Sequence, residues 1–284
     1  MKSKYDSNFY NSQKDDSYSS AKQVIPIILK QFVPNSIVDI GCGVGTWLKV
    51  WEELGIKDYL GIDGYYVDTS SLLIDKAKFI ALDLNTEFSV QKRFDLAQCL
   101  EVAEHLYEYN AIGFVKKLTE FSDIILFSAA TPYQGGTDHY NENWLEYWAI
   151  IFRKFDYFPI DFIRKQIWNN NDVRFWYRQN LILFVSKEKL STFFNDPIFN
   201  DTLSVIHPEL LLWVTSKLKN KFIDIERDIQ YYNNLIKILK NNNGNLPGEV
   251  RHYKNLLPNK KPNRIITFIN RLIKYLINLK LNIL

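Results

Sequence analysis

The amino-acid sequence predicts an α/β protein: a doubly wound, seven-stranded, mostly parallel sheet followed by an α-helical C-terminal extension. Three observations predict it. Short apolar runs of strand length alternate with helical patterns from Ser36 to Val185. The first of these runs breaks into a turn with glycine at 41, 43 and 45. Acidic residues Asp39, Asp63, Asp83 and Glu101 fall at or just beyond the ends of successive strands, where sheets of this class bind ligands.

Residues 1–18 are polar and read as an N-terminal arm. Ser19 to Phe32 carries Val24, Ile27, Ile28 and Phe32 at helical spacing, and Pro34 ends that helix. Ser36 to Ile40 is the first strand and Thr46 to Leu54 the helix after it. Asp58 to Ile62 is the second strand, running into Asp63-Gly64, and Lys78 to Leu82 the third, running into Asp83. Phe94 to Cys99 is the fourth, and Asn110 is placed to cap a helix over Ala111 to Thr119. Asp123 to Ala129 is the fifth strand, bounded by Thr131-Pro132. Asn141 to Phe155 is a Trp-rich helix, Tyr157 to Asp161 a short strand and Asn180 to Val185 the last. Residues 19–187 therefore form the sheet domain.

After Lys187 the pattern changes, and residues 188–284 read as a helical extension. Phe222 to Leu239 is a helix, Asn241 to Pro247 a breaker-rich loop and Pro258 to Pro262 a basic linker. In Arg264 to Leu284, residues Arg264, Thr267, Arg271, Lys274 and Asn278 recur at spacings of 3 and 4, one narrow polar stripe on a very apolar helix. Such a helix docks on the sheet domain or on a second subunit, making a homo-oligomer. The alternative is a basic amphipathic helix lying on a membrane surface.

Hydrophobic residues make up 46% of the 284-residue chain and charged residues 24%, which fits a globular core and excludes a disordered chain. The net charge is only +3, with Lys and Arg dispersed, so no basic face is evident and no nucleic-acid partner is expected. The seven Trp, seventeen Tyr and nineteen Phe chiefly fill the core and also suit stacking on a sugar or a base. Cys42 and Cys99, the two cysteines, form no disulfide framework and fit a reducing cytosol. Met1 to Ser20 lacks the apolar stretch of a signal peptide, and no run reaches the ~18 apolar residues of a membrane span. The expected location is the cytoplasm, with peripheral contact at the inner membrane surface if the terminal helix is an anchor.

Val38 to Gly45 reads Val-Asp-Ile-Gly-Cys-Gly-Val-Gly, a buried strand turning so tightly that side chains are excluded. Such a turn lets the backbone approach a nucleotide-like ligand. A dinucleotide site uses Gly-x-Gly-x-x-Gly, with a pyrophosphate on the helix N-terminus. Here the third glycine comes one residue early and Thr46 takes its place, which suits a ligand without phosphates.

A second constellation follows the fourth strand. Glu101, Glu104 and His105 stand at i, i+3 and i+4, and a helical turn starting there would bring them together. His139, in Gly-Gly-Thr-Asp-His-Tyr-Asn after the fifth strand, would converge on them. Two carboxylates and two imidazoles make a mixed oxygen and nitrogen site for a divalent ion such as Mg2+ or Mn2+. The same groups would also serve as general acids and bases without a metal, or simply hold a loop through backbone hydrogen bonds.

The glycine turn within Asp39 to Trp47 resembles motif I of class I S-adenosylmethionine (SAM) methyltransferases, whose fold is Rossmann-like. The resemblance implies SAM as cofactor, bound by Asp39, Gly41, Gly43, Gly45, Asp63, Asp83 and Leu84. The glycines give close backbone approach. Asp63, 20 residues past Gly43, would accept from both ribose hydroxyls. Asp83 would accept from the adenine amino group with Leu84 beside the ring, and Asp39 would orient the methionine amino group through water.

The Glu-x-x-Glu-His pattern is similar to that of metal-dependent O-methyltransferases, both small-RNA terminal 2′-O-methyltransferases and ubiquinone-pathway enzymes. It implies Glu101, Glu104, His105 and His139 as metal ligands, and Glu101, His105 and His139 as catalytic groups. A divalent ion chelating two vicinal hydroxyls would acidify one of them, and His105 or His139 would take the proton. From Phe9 to Val185 the chain also resembles bacterial and viral methyltransferases associated with surface-glycan synthesis, through Phe9 to Gln13, Asp39 to Trp47, Glu101 to Leu106 and Phe127 to Trp148. The expected reaction is therefore O-methylation of a sugar hydroxyl in a glycan or glycan precursor. A catechol-like quinone precursor is the runner-up acceptor. RNA ranks third for want of a basic groove, and a SAM-binding, non-catalytic scaffold in glycan assembly is the reading from another class. The glycine pair at 135 and 136 suggests a lid, and Trp168 and Trp176 a wall for sugar stacking.

Overall fold

The computed structural model describes residues 7–86, 91–193 and 202–241. A long helix, α1 (Ser7–Gln31), leads into β1 (Ser36–Ile40) and α2 (Thr46–Glu53). Then come β2 (Asp58–Asp63), β3 (Phe79–Ala81), β4 (Leu96–Leu100), α3 (Ala111–Phe121), β5 (Ile124–Ser128), α4 (Leu145–Arg153) and β6 (Tyr157–Ile160). Two short helices, α5 (Arg164–Ile167) and α6 (Phe175–Asn180), precede β7 (Ile182–Ser186). They are followed by α7 (Lys187–Phe193) and α8 (Pro208–Asn241).

The seven strands form one sheet in the order β3-β2-β1-β4-β5-β7-β6. Neighbours from β3 through β5 are parallel, and β7 runs antiparallel to both β5 and β6. This is the mostly parallel, doubly wound sheet that the alternation predicts. Strand order reverses between β1 and β4, so the crossovers on either side diverge and leave a crevice at the carboxyl ends of those two strands.

Helices cover both faces, which is why β1, β4, β5 and β7 are buried along their whole length and read as near-continuous apolar runs. On one face Phe127, Trp148, Phe152 and Phe184 are buried with the apolar stripe of α3. Phe152 stacks on Phe184 at 3.8 Å between ring centroids. On the other face Trp51 and Leu48 of α2 pack with Ile25 and Ile28 of α1.

Several boundaries differ from the sequence reading, each for a tertiary reason. The expected N-terminal arm is helical from Ser7. Tyr18 Oη of the arm donates to Glu53 at 2.8 Å, and just past the arm Ser19 Oγ donates to the Asp172 carbonyl at 2.9 Å. Ser20 accepts from Arg174 N and Asp16 pairs with Arg174. Asn110 does not cap α3. It sits in helical backbone conformation at the end of a 3-10 turn, and its side chain donates to Asn85 at 3.3 Å. α4 begins at Leu145 because residues 141–144 stay outside the helix, tying the preceding loop down.

The described residues divide into two compact units between Ser216 and Lys217. The segment after α7 belongs to the first: Arg164 Nη1 donates to the Leu203 carbonyl at 2.7 Å and His207 N donates to Gln179 at 2.7 Å. α8 starts at Pro208, well before the expected Phe222, with proline at the first helical position where its missing N–H costs nothing. In the second unit, residues 217–241 are the remainder of that helix. The breaker-rich loop past Asn241, the linker at Pro258 to Pro262 and the terminal helix at Arg264 to Leu284 lie outside the described residues. Among those described, no helix is long and apolar enough to cross a membrane.

Candidate active site

β1 ends at Ile40, and the chain turns through three glycines with positive φ: +81° at Gly41, +56° at Gly43 and +82° at Gly45. They are required for different reasons. A Cβ on Gly41 would lie 2.2 Å from Val102 Cγ2, and one on Gly45 2.8 Å from Ile74 Cγ1. A Cβ on Gly43 would meet nothing within 4 Å, because Gly43 faces a cleft of about 820 Å³.

Asp63, at the end of β2, fastens the turn. Its Oδ2 accepts from Gly43 N at 2.6 Å, and its Oδ1 accepts from Gly64 N at 2.6 Å and Tyr66 Oη at 2.5 Å. Burial pushes its carboxyl above the usual range against the pull of those three bonds. Asp39 is buried beside it. Burial, then repulsion from Asp63, hold its carboxyl well above the ordinary value, opposed by a hydrogen bond with Gln98. Asp83 is exposed at the cleft and accepts from Asn85 N at 2.9 Å, while Leu84 packs half-buried against the core. All seven residues expected around a cofactor thus line, or in Gly45's case adjoin, one crevice at the strand-order reversal.

The Glu-x-x-Glu-His segment leaves β4 into the same cleft. Its helical turn starts at Ala103 rather than Glu101. Ligand atoms of Glu104, His105 and His139 all lie within 4.8 Å of one another. The two imidazoles meet edge to face at 4.8 Å between ring centroids. Glu104 is buried, and among the described residues its Oε2 has no hydrogen-bond partner. Burial, and then repulsion from Glu101, push its carboxyl well above the usual range. His105 is pushed down by burial and by His139.

Glu101 stands apart from that trio. Its φ is +55°, and its side chain accepts from Gln134 Nε2 at 2.7 Å and Asn180 Nδ2 at 3.3 Å. Burial raises its carboxyl, while bonds with Ser128, Gln134 and Asn180 restrain the rise. The positive φ is the physical reason: it turns the side chain away from the direction a continuous helical turn would give.

The loop after β5 carries His139 and is fastened at two points. Tyr140 N and Asn141 N donate to the Glu104 carbonyl at 2.8 and 3.0 Å. Glu142, which the sequence reading passed over, collects the rest. It accepts from Tyr133 N at 3.0 Å, from Gly135 N at 2.7 Å and from His139 Nδ1 at 2.8 Å. His105 Nδ1 lies 3.2 Å from the Asp138 carbonyl. A Cβ on Gly136 would fall 2.1 Å from His139 Nε2, so the second glycine of the pair makes room for this ring. The sequence signal for Glu142 is its place three residues after His139, within reach of the same loop.

Among the described residues, six carboxylates line the cleft, on Asp39, Asp63, Asp83, Glu101, Glu104 and Asp138, and no Lys or Arg does. Trp176 lines it too, but Trp168 does not: its ring packs against His207 at 4.7 Å, drawn there by the segment leading into α8. An unexpected aromatic row lies outside the lining, close in sequence to Leu106 and His139, which do line the cleft. Tyr107 stacks on Tyr109 at 5.3 Å and meets Tyr140 at 5.2 Å, and all three rings are exposed.

Among solved structures, the plantazolicin methyltransferase BpumL in complex with SAH is 20% identical. The similarity covers 64% of this chain and 88% of that one, with a TM-score of 0.47. The small RNA methyltransferase HEN1 is 16% identical over 66% of this chain and 26% of its own, TM-score 0.43. Human N-acetylserotonin methyltransferase in complex with SAM is 12% identical over 63% of this chain and 55% of its own, TM-score 0.45. No protein of curated function matches. A family model described as a methyltransferase domain matches residues 11–171. That span runs from α1 through β6 to α5, takes in both the glycine turn and the Glu104–His105–His139 group, and exceeds half the chain: the protein belongs to the methyltransferase-domain family.

Proposed function

We propose that the protein is a SAM-dependent O-methyltransferase acting on a sugar hydroxyl of a glycan or glycan precursor, assisted by a divalent metal ion. The observation that carries this reading is that one cleft holds both the glycine turn and the Glu104–His105–His139 group. Donor site and acceptor-activating site are then within a single ligand's reach.

The residues fit the methyl donor. SAM carries a sulfonium and an ammonium cation and no phosphate, and among the described residues the lining offers six carboxylates and no Lys or Arg. Gly43, with open space where a side chain would stand, gives the backbone its closest approach. Asp63 and Asp83 are our assignments for the ribose and the adenine, Leu84 for the ring face and Asp39 for the ammonium end. Residues 19–187 are the proposed SAM-binding domain.

The residues also fit a metal. A buried carboxylate oxygen without a partner is costly, and Glu104 Oε2 is such an atom beside two imidazoles. Glu104, His105 and His139 would hold an ion such as Mg2+ or Mn2+, which supplies Lewis acidity toward a bound hydroxyl. Glu142 fixes the His139 ring through Nδ1 and leaves Nε2 as the free ligand nitrogen. Glu101 is our proton acceptor. It lines the cleft, Gln134 and Asn180 orient it, and burial raises its carboxyl above the ordinary value, which makes it a stronger base. The hydroxyl loses its proton as its oxygen attacks the sulfonium methyl. The carbon–sulfur bond breaks, and the products are a methyl ether and S-adenosylhomocysteine.

A neutral polyol suits the acceptor side. The exposed Tyr107, Tyr109 and Tyr140 rings offer flat faces to a sugar, Thr137 offers an uncharged hydrogen-bond partner in the lining, and among the described residues no Lys or Arg lines the cleft to meet a phosphate. The test is methyl transfer from labelled SAM to glycans, catechols and short RNAs, with Mn2+ and with chelator. Label on glycan that disappears with chelator is the expected result. Label confined to RNA or catechol overturns the acceptor class, and transfer indifferent to chelator overturns the metal.

A further inference from the structure

The second compact unit offers a surface of a different kind. α8 is 34 residues long, about 51 Å at 1.5 Å per residue. From residue 217 on, every described side chain of it is exposed or half-exposed. Within that stretch the sequence places apolar residues at 218, 222, 225, 229, 232, 236 and 239: Leu, Phe, Ile, Ile, Tyr, Ile and Leu. The spacing is 4, 3, 4, 3, 4, 3, the repeat of a coiled-coil seam rather than the wider stripe of a helix laid on a globular domain. Leu218 is 51% exposed and Phe222 58%. A single helix with such a seam in water gains little from packing, and most helical stability in proteins comes from packing.

We propose that residues 218–239 form a parallel, two-stranded coiled coil with a second copy of this chain. Two features select this occupant. In the heptad frame, Phe222, Ile229 and Ile236 take the a positions and Leu218, Ile225, Tyr232 and Leu239 the d positions. β-Branched residues at a with leucine at d favour two parallel strands, and Ile229, Ile236, Leu218 and Leu239 follow that rule. The flanking charges are self-complementary. Lys221 at g faces Glu226 at e of the partner helix when two copies pair in register, and symmetry supplies the pair twice. The other flanking combinations of this stretch, Asp228 with Asn233 and Leu235 with Lys240, oppose no like charges.

The experiment is the molar mass of the full-length protein by light scattering and sedimentation equilibrium. Wild type is expected at twice its 33.6 kDa. Ile229→Glu, which puts a charge into the seam, is expected at the monomer mass with the melting of the sheet unit unchanged. Lys221→Glu and Glu226→Lys each turn two attractive contacts into repulsive ones and are expected to weaken the dimer about tenfold. The double exchange Lys221→Glu with Glu226→Lys restores it. A wild type that stays monomeric up to about 100 μM, an Ile229→Glu protein that still dimerises, or a double exchange no better than either single one would each overturn the proposal.

Discussion

Replacing Gly43 by alanine is expected to remove donor affinity at little cost in stability, whereas Gly41→Ala is expected to remove mainly stability. Both positions have positive φ, so each alanine pays about 1 kcal/mol of left-handed backbone strain. At Gly43 that is the whole cost, since its Cβ would stand in open space. At Gly41 the Cβ would lie 2.2 and 2.8 Å from the two γ-methyls of Val102, and overpacking of this kind adds about 1–3 kcal/mol. For a domain of this size, about 3 °C of melting temperature per kcal/mol gives a fall of about 3 °C for Gly43→Ala and about 9 °C for Gly41→Ala. The Gly43 methyl projects into the cleft the donor would fill, so SAM affinity is expected to drop at least about tenfold, or 1.4 kcal/mol. Calorimetric titration with SAM and a thermal melt read the two effects separately. A Gly43→Ala protein that binds SAM as tightly as wild type would refute the placement of the donor against this turn.

The other predictions concern the acceptor side. Glu142→Ala removes the partner of His139 Nδ1 and should lower Mn2+ affinity by about 10–100-fold while SAM binding stays the same; titration with Mn2+ checks it. Gly136→Ala sets a methyl on His139 Nε2 and should cut turnover by about a hundredfold without a matching loss of SAM binding, read in steady-state kinetics. The pH dependence has a definite sign. Asp39, Asp63, Glu101 and Glu104 are all raised in the fold. Their contribution to stability is therefore present below the ordinary carboxylate range near pH 4 and is lost as pH rises through their higher folded values. The metal-free protein should melt lower as the pH is raised above about 4, and the rise in melting temperature on adding Mn2+ should grow in the same direction. An increment independent of pH would argue against Glu104 as a ligand.

Much of this architecture is legible in the sequence because buried parallel strands write themselves as apolar runs. β1, β4, β5 and β7 have no exposed residue, and each was found within two residues of its ends. The glycine turn is legible for the same reason, since exclusion of side chains is a property of residue type. What escapes is set by contacts between distant segments. α5 and α6 are four and six residues long, too short for a helical period to register. The helical form of the arm rests on partners at Glu53 and Arg174, far away in sequence. In the candidate site, the separation of Glu101 from Glu104 and His105 depends on one positive φ, which a residue other than glycine does not announce. Glu142 and Asn180 escape because their roles come from the atoms they touch: two loop amides and His139 for one, Glu101 and Gln134 for the other.

The proposed sharing of this one cleft by methyl donor and metal-bound acceptor makes transfer depend on both the metal and Glu104. Purified protein is stripped of metal and incubated with labelled SAM and a neutral glycan carrying vicinal hydroxyls, and transfer is followed before and after Mn2+ is returned, in wild type and in Glu104→Gln. Transfer to a sugar oxygen is expected to need Mn2+ in the wild type and to be absent from Glu104→Gln, although that variant still binds SAM. Equal transfer by the stripped wild type, or by Glu104→Gln, would contradict the proposal.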